Sequence, residues 1–159
     1  MPVTTTDMKA HLRVDHSDDD GKIANYQAGA VAVLDAWGGV LGRCIMPQTW
    51  AIDVIGPGPH VLPFPDATSI AATSGGVAVN IEVSRTGLGQ CVTVADATAD
   101  EAITIEAVYG LPAERLPAAQ TLVKLMVSRD YDAPHGPAYD SITRSIDALI
   151  GALRWGRVG

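Results

Sequence analysis

The sequence predicts an α+β fold, in which an N-terminal helical hairpin and a C-terminal helix pair form a helical bundle, with a small, mostly antiparallel β-insert between them. Three observations predict it. Apolar residues recur at spacings of three and four in residues 17–41 and again in 117–153. The period changes to two in residues 50–55, 77–84 and 102–109. The links between those alternating runs are too short to hold helical crossovers, so their pairing is antiparallel.

Taken in order, residues 3–14 (VTTTDMKAHLRV) open with a helix-start signal. Thr4 is the N-cap, Asp7 sits at the third helical position, and Val3 can pack on Met8 as a hydrophobic staple. Residues 17–50 then read as one long amphipathic helix that hands over to a strand. Ser17 is its N-cap, and Asp18, Asp19 and Asp20 complement the helix dipole in the first turn. Ile23, Tyr26, Ala30, Val31, Leu34, Trp37 and Leu41 form its buried stripe. Gly38, Gly39 and Gly42 weaken it, and Pro47 closes the corner RCIMPQTW of residues 43–50.

In the insert, residues 56–60 (GPGPH) are expected to form a turn and residues 61–65 (VLPFP) at best an edge strand, because their prolines interrupt a ladder. Residues 69–73 can pair next. Residues 77–84 give the clearest strand, with Val77, Val79, Ile81 and Val83 on the core side. Residues 85–90 are a hairpin loop, and residues 91–95 and 102–109 supply two more strands. Pro117 suits the first turn of a helix with Leu122, Leu125, Met126 and Tyr131 buried. Tyr139, Ile142, Ile146, Leu149, Ile150 and Leu153 trace the last helix. The chain thus reads as a single domain over 1–159: helical over 1–46, a β-insert over 47–110, helical over 111–153, and a flexible tail over 154–159.

Composition narrows the function. With 159 residues and 47% hydrophobic content the chain can bury a sizeable core. A net charge of −7 argues against a protein that coats nucleic acid, because gripping phosphates needs clustered Lys and Arg. No apolar run reaches the length of a membrane span, and residues 1–14 are too polar for a signal peptide. Cys44 and Cys91 lack paired spacing and are expected as buried thiols rather than a disulfide.

Catalytic signatures are missing. The Gly87 and Gly89 pair lacks the third glycine of a dinucleotide site, and Ser74 lies in TSGG rather than GxSxG. His11, His16, His60 and His135 have no ligand spacing. The acidic run at 15–21 fails the calcium-loop register, since aligning Gly21 puts His16 at the first ligand position and Gln27 at the last. No cofactor, no metal and no catalytic residue is therefore assigned. Two features exceed what a plain globular domain needs. One is the end of the chain, where Arg154, Trp155, Arg157 and Val158 combine residue types enriched at interface hot spots. The other is the corner with Trp37, Arg43, Gln48 and Trp50, read as a structural or interface element.

The order of these features resembles the head-tail connector, or adaptor, proteins of tailed bacteriophages and gene transfer agents. The resemblance is carried by residues 9–15 (KAHLRVD), 45–50 (IMPQTW) and 106–112 (EAVYGLP), and spans almost the whole chain. The chain departs from that pattern after the helix tryptophan, where Gly38-Gly39 replaces a threonine-glycine pair. The resemblance implies a structural virion protein rather than an enzyme. Its copies would form a homo-oligomeric, dodecameric ring under the portal protein, receive a stopper or tail-completion protein, and let DNA pass through the lumen without specific binding. It would act at the head-tail interface of the virion, assembled in the bacterial host cytoplasm, with no membrane partner. Two other readings of the residues stay open: a small metal-dependent hydrolase using the acidic 15–20 segment with His16, and a monomeric β-rich binding module.

Overall fold

A computed structural model describes residues 2–86, 89–132 and 135–155. Among them are four α-helices and seven strands, and the strands form two antiparallel sheets. The fold is α+β with a substantial sheet component. This corrects the expectation of a helical bundle carrying a small β-insert. The chain divides into two compact units, one of residues up to Ile45 with Pro112–Arg154, the other of Met46–Leu111 with Trp155.

The first unit is helical. Helix α1, Thr5–Leu12, starts as its sequence dictates: the Thr4 hydroxyl accepts from the Asp7 amide at 3.0 Å and donates to Asp7 Oδ2 at 2.7 Å. The first four amides of a helix have no intrahelical acceptor, and this pair of bonds satisfies one of them and orients the side chain that complements the dipole. Val3 and Met8 are buried. Helix α2 is Asp20–Leu34, with Asp19 at the N-cap position but making no side-chain capping bond, and so is shorter at both ends than the sequence suggests. Its buried line is Ile23, Gln27, Ala30 and Leu34. Helix α3, Leu116–Asp132, follows a 3-10 turn at Ala113–Arg115 and buries Ala119, Leu122, Val123, Met126 and Val127. Helix α4, Pro137–Leu153, has proline in its first turn and buries Ile146 and Leu153.

Amide side chains tie the N-terminal segment to this unit. Buried Gln27 donates to the Val3 carbonyl at 3.2 Å, and Gln120 donates to the Pro2 carbonyl at 2.9 Å. No helix among the described residues is long and apolar enough to cross a membrane.

The second unit holds all seven strands: β1 Gln48–Ile55, β2 Gly58–Val61, β3 Ala67–Ser74, β4 Val77–Ala78, β5 Ile81–Thr86, β6 Gly89–Val94 and β7 Ala102–Tyr109. One sheet has the order β1-β7-β3-β4 and the other β2-β6-β5. Strand β7 behaves as its alternation requires, with Ile103, Ile105, Ala107 and Tyr109 buried at the centre of the larger sheet. Phe64 sets its ring edge-on to Tyr109 at 5.2 Å and to Trp50 at 5.7 Å. The buried Gln90 on β6 donates to the Ala67 carbonyl and accepts from the Ala67 amide at 2.7 Å, which pairs the start of β3 that no neighbouring strand serves on that side.

Two expectations for the sheets are corrected. Residues 56–60 are not only a turn: Gly58–Val61 pairs with β6, and Pro59 is tolerated because β2 is an edge strand. Residues 77–84 are not one strand. The Val79 amide still reaches the Ala72 carbonyl at 3.0 Å, and then the chain leaves β3 and restarts as β5 in the other sheet. Val77 and Val83 consequently face outward, at 70% and 49% exposure, instead of forming the core side of a strand.

Candidate functional site

Of the predicted corner residues, Trp37 and Arg43 belong to the first unit and Gln48 and Trp50 to the second. In the first, helix α2 stops at Leu34, where Asp35 leaves helical geometry and its Oδ1 accepts from the Ile45 amide at 2.7 Å. The chain between them is knotted by its own backbone. Ala36 adopts a positive φ of 53° and donates to the Arg43 carbonyl at 3.1 Å, while Val40 donates to the Val33 carbonyl at 2.9 Å. Gly39 lies so close to the helix end that a Cβ there would run into the Leu34 and Asp35 carbonyl oxygens. Trp37, expected on the buried stripe, instead sits on this turn with 73% of its surface exposed. The missed signal is the helix end itself: once α2 stops at Leu34, position 37 no longer follows the stripe. Val33 and Val40, joined by that backbone bond, are also exposed and flank Trp37 in the chain, so three exposed apolar residues border one tight turn. Arg43 is buried, and Leu41, Cys44 and Ile45 are buried with it.

In the second unit, Gln48 and Trp50 begin β1. The Trp50 indole donates to Gln48 Oε1 at 3.1 Å, and its ring joins Phe64. These two side chains stiffen the strand start, opposite Tyr109 and Ala107 of β7.

The C-terminal candidates divide in the same way. Arg154 is exposed and its amide caps α4 through the Ile150 carbonyl at 2.8 Å. Trp155 is half-buried, its Cζ2 lying 3.5 Å from where a Cβ on Gly89 would stand. Arg157 and Val158 lie outside the described residues.

The acidic segment that suggested a metal site is used for packing. Asp20 pairs with Lys9 of α1 at 2.6 Å. Asp19 accepts the Tyr131 hydroxyl at 2.6 Å, and Lys22 lies over the Tyr131 ring at 4.7 Å. The bond to Asp19, with burial and the nearby carboxylates, pushes the Tyr131 phenol up to about 12. Among the described residues no group of three or more His, Cys, Asp or Glu side chains could hold a metal ion. Cys44 and Cys91 are buried thiols.

One feature the sequence did not point to is an open groove of about 390 Å³ walled by α2, α3 and α4. Ala30, Val33, Met126, Ile146 and Ile150 supply apolar lining, and Asn25, Arg129, Asp130 and Asp147 add polar groups. Arg129 bonds Asp130 at 2.7 Å and stacks its guanidinium over Tyr139 at 5.2 Å; the Asp130 bond raises its already high pKa. The groove combines apolar lining with a few hydrogen-bonding groups, the composition of small-molecule and peptide clefts.

Compared with protein-family models and with curated proteins, the chain matches none.

Proposed function

We propose that the protein is a structural connector of a phage-like particle. Copies assemble as a ring beneath a portal protein, receive a stopper or tail-completion protein, and leave a lumen through which DNA passes without specific contacts. The likeness of residues 9–15, 45–50 and 106–112 to adaptor proteins supports this reading, and the net charge of −7 suits a wall that DNA slides past. The observation that carries it is Trp37. A tryptophan 73% exposed, flanked by exposed valines and held on a turn that cannot fold away, costs solubility unless a partner covers it. Arg154, Trp155, Arg157 and Val158 are the contacts assigned to the tail side, and Trp37 belongs to the contacts of assembly.

The test is assembly on the portal protein encoded with this chain. Mixing the two should give a ring bound to the portal, seen by electron microscopy and by particle mass, and Trp37→Ala should end that association while leaving the circular dichroism spectrum unchanged. Deleting residues 154–159 should give a folded protein that docks but yields heads without tails. A chain that stays monomeric with the portal present supports the β-rich binding module in place of the connector.

A further inference from the structure

Each sheet of the second unit ends in one strand whose outer edge is unguarded. Sheets usually protect their edges with proline, lysine, a bulge or brevity. Strand β2 carries Pro59 and β4 is two residues long, so those edges are blunted. Strands β1 and β5 contain neither proline nor lysine, and among the described residues each pairs on one side only, β1 with β7 and β5 with β6.

The direction of the backbone groups follows from the ladders. The Gly56 amide donates to the Glu101 carbonyl at 2.9 Å, one step beyond the Ile55↔Ala102 pair. Hydrogen-bonded positions alternate in an antiparallel pair, so Ile52 and Val54 turn their amides to β7 while Asp53 and Ile55 turn theirs outward. In the other sheet the Leu62 amide donates to the Gln90 carbonyl at 2.9 Å, so Gln90 faces β2 and Cys91 faces β5. Ser84 pairs with Cys91, which leaves Val83 and Arg85 turned outward.

The outward residues of the two edges are complementary. Strand β1 offers Asp53, its one charged residue, and Ile55, which is 71% exposed. Strand β5 offers Arg85, its one cation, and Val83, which is 49% exposed. We infer that β1 of one copy adds antiparallel to β5 of a second copy, in the register that sets Asp53 opposite Arg85 and Ile55 opposite Val83. That register pairs outward positions with outward positions, so the backbone bonds form together with one opposite-charge and one apolar cross-strand pair. Asp53 already accepts the Thr104 hydroxyl at 2.7 Å, which holds its carboxylate in place on the exposed face. Because the two edges differ, the contact is head-to-tail: each added copy presents a fresh β1 and a fresh β5, as a closed ring requires. Self-pairing of β1 would join two copies and stop.

The proposal rests on the connector reading only for the ring it would build, and its test separates the two. A chain carrying Ile55→Cys and Val83→Cys together is treated with a short bifunctional maleimide, with and without the portal protein; the native thiols are buried. A ladder of dimer, trimer and higher species is expected from the double variant and none from either single variant. Asp53→Arg or Arg85→Asp added to that background should weaken the ladder, and both together should restore it. No ladder in either condition, or a dimer from Ile55→Cys alone, overturns the strand contact. A ring on the portal without a ladder refutes this contact and leaves the connector standing, whereas a ladder without portal association does the reverse.

Discussion

Gly39→Ala and Gly29→Ala make the same chemical change and should move stability in opposite directions. A methyl at Gly39 would meet the Leu34 and Asp35 carbonyl oxygens, which are backbone atoms at the end of α2 and have no rotamer to yield. Relief requires moving the turn, and that strains the Val40-to-Val33 and Ala36-to-Arg43 backbone bonds and the Asp35 clamp on Ile45. Overpacking of this kind costs about 1–3 kcal/mol, and the rigid neighbours put it in the upper half of that range. At roughly 2–4 °C per kcal/mol for a chain of this size, Gly39→Ala should lower the Tm by about 4–12 °C. Gly29 lies within α2 with nothing within 4 Å of an added Cβ. There alanine gains up to about 1 kcal/mol of helix propensity and should raise the Tm by about 2–4 °C. Thermal unfolding followed at 222 nm reads both. An unchanged or raised Tm for Gly39→Ala would show that the turn is not packed against the helix end, and the tight turn argued for Trp37 would fall with it.

Three further outcomes follow from the first unit. Thr4→Ala removes the α1 cap and should cost about 1 kcal/mol, read as a lower denaturant midpoint with unchanged slope. Gln27→Ala leaves the Val3 carbonyl unserved in a buried place and should cost about 1–3 kcal/mol, whereas loss of a merely exposed amide would cost almost nothing. Tyr131 has a folded pKa raised from about 10 to about 12, so its share of stability is whole below about pH 10 and is lost as pH rises through about 12. Tyrosinate absorbance at 295 nm should therefore show a late step that Asp19→Ala moves back toward 10 and Tyr131→Phe removes; a late step indifferent to Asp19 would contradict the bond.

What the sequence made legible was whatever is decided within a few residues. Thr4 and Asp7 fix the start of α1 between themselves, and β7 alternates cleanly because both its neighbours are strands of one sheet. What it concealed was decided at a distance. The end of α2 depends on Asp35 reaching Ile45 ten residues on, and no local glycine or proline marks Leu34 as the last turn. The break between β4 and β5 depends on where β3 stops offering partners, so an unbroken apolar alternation looked like one strand. Strand β2 was hidden by prolines that only an edge tolerates, and edge position is a property of the assembled sheet. The groove was missed because its lining comes from α2, α3 and α4 together, and no local pattern fixes how three helices meet.

The two surfaces to which function is assigned are composed differently, and that makes their roles separable. Exposed Val33 at the end of α2 and exposed Trp37 and Val40 on the turn after it are all apolar. Their specificity must come from shape, as at a hot spot seated in a partner's pocket. The β1 and β5 edges instead offer backbone donors and acceptors, one carboxylate and one guanidinium, so register sets their specificity. Sites with no shared partners combine additively. Trp37→Ala should therefore leave the Ile55-to-Val83 crosslink ladder intact while ending association with the portal, and Asp53→Arg should weaken the ladder while a single copy still binds it. If either substitution abolishes both readouts in a folded protein, the two surfaces act as one, and the ring is built only on its template.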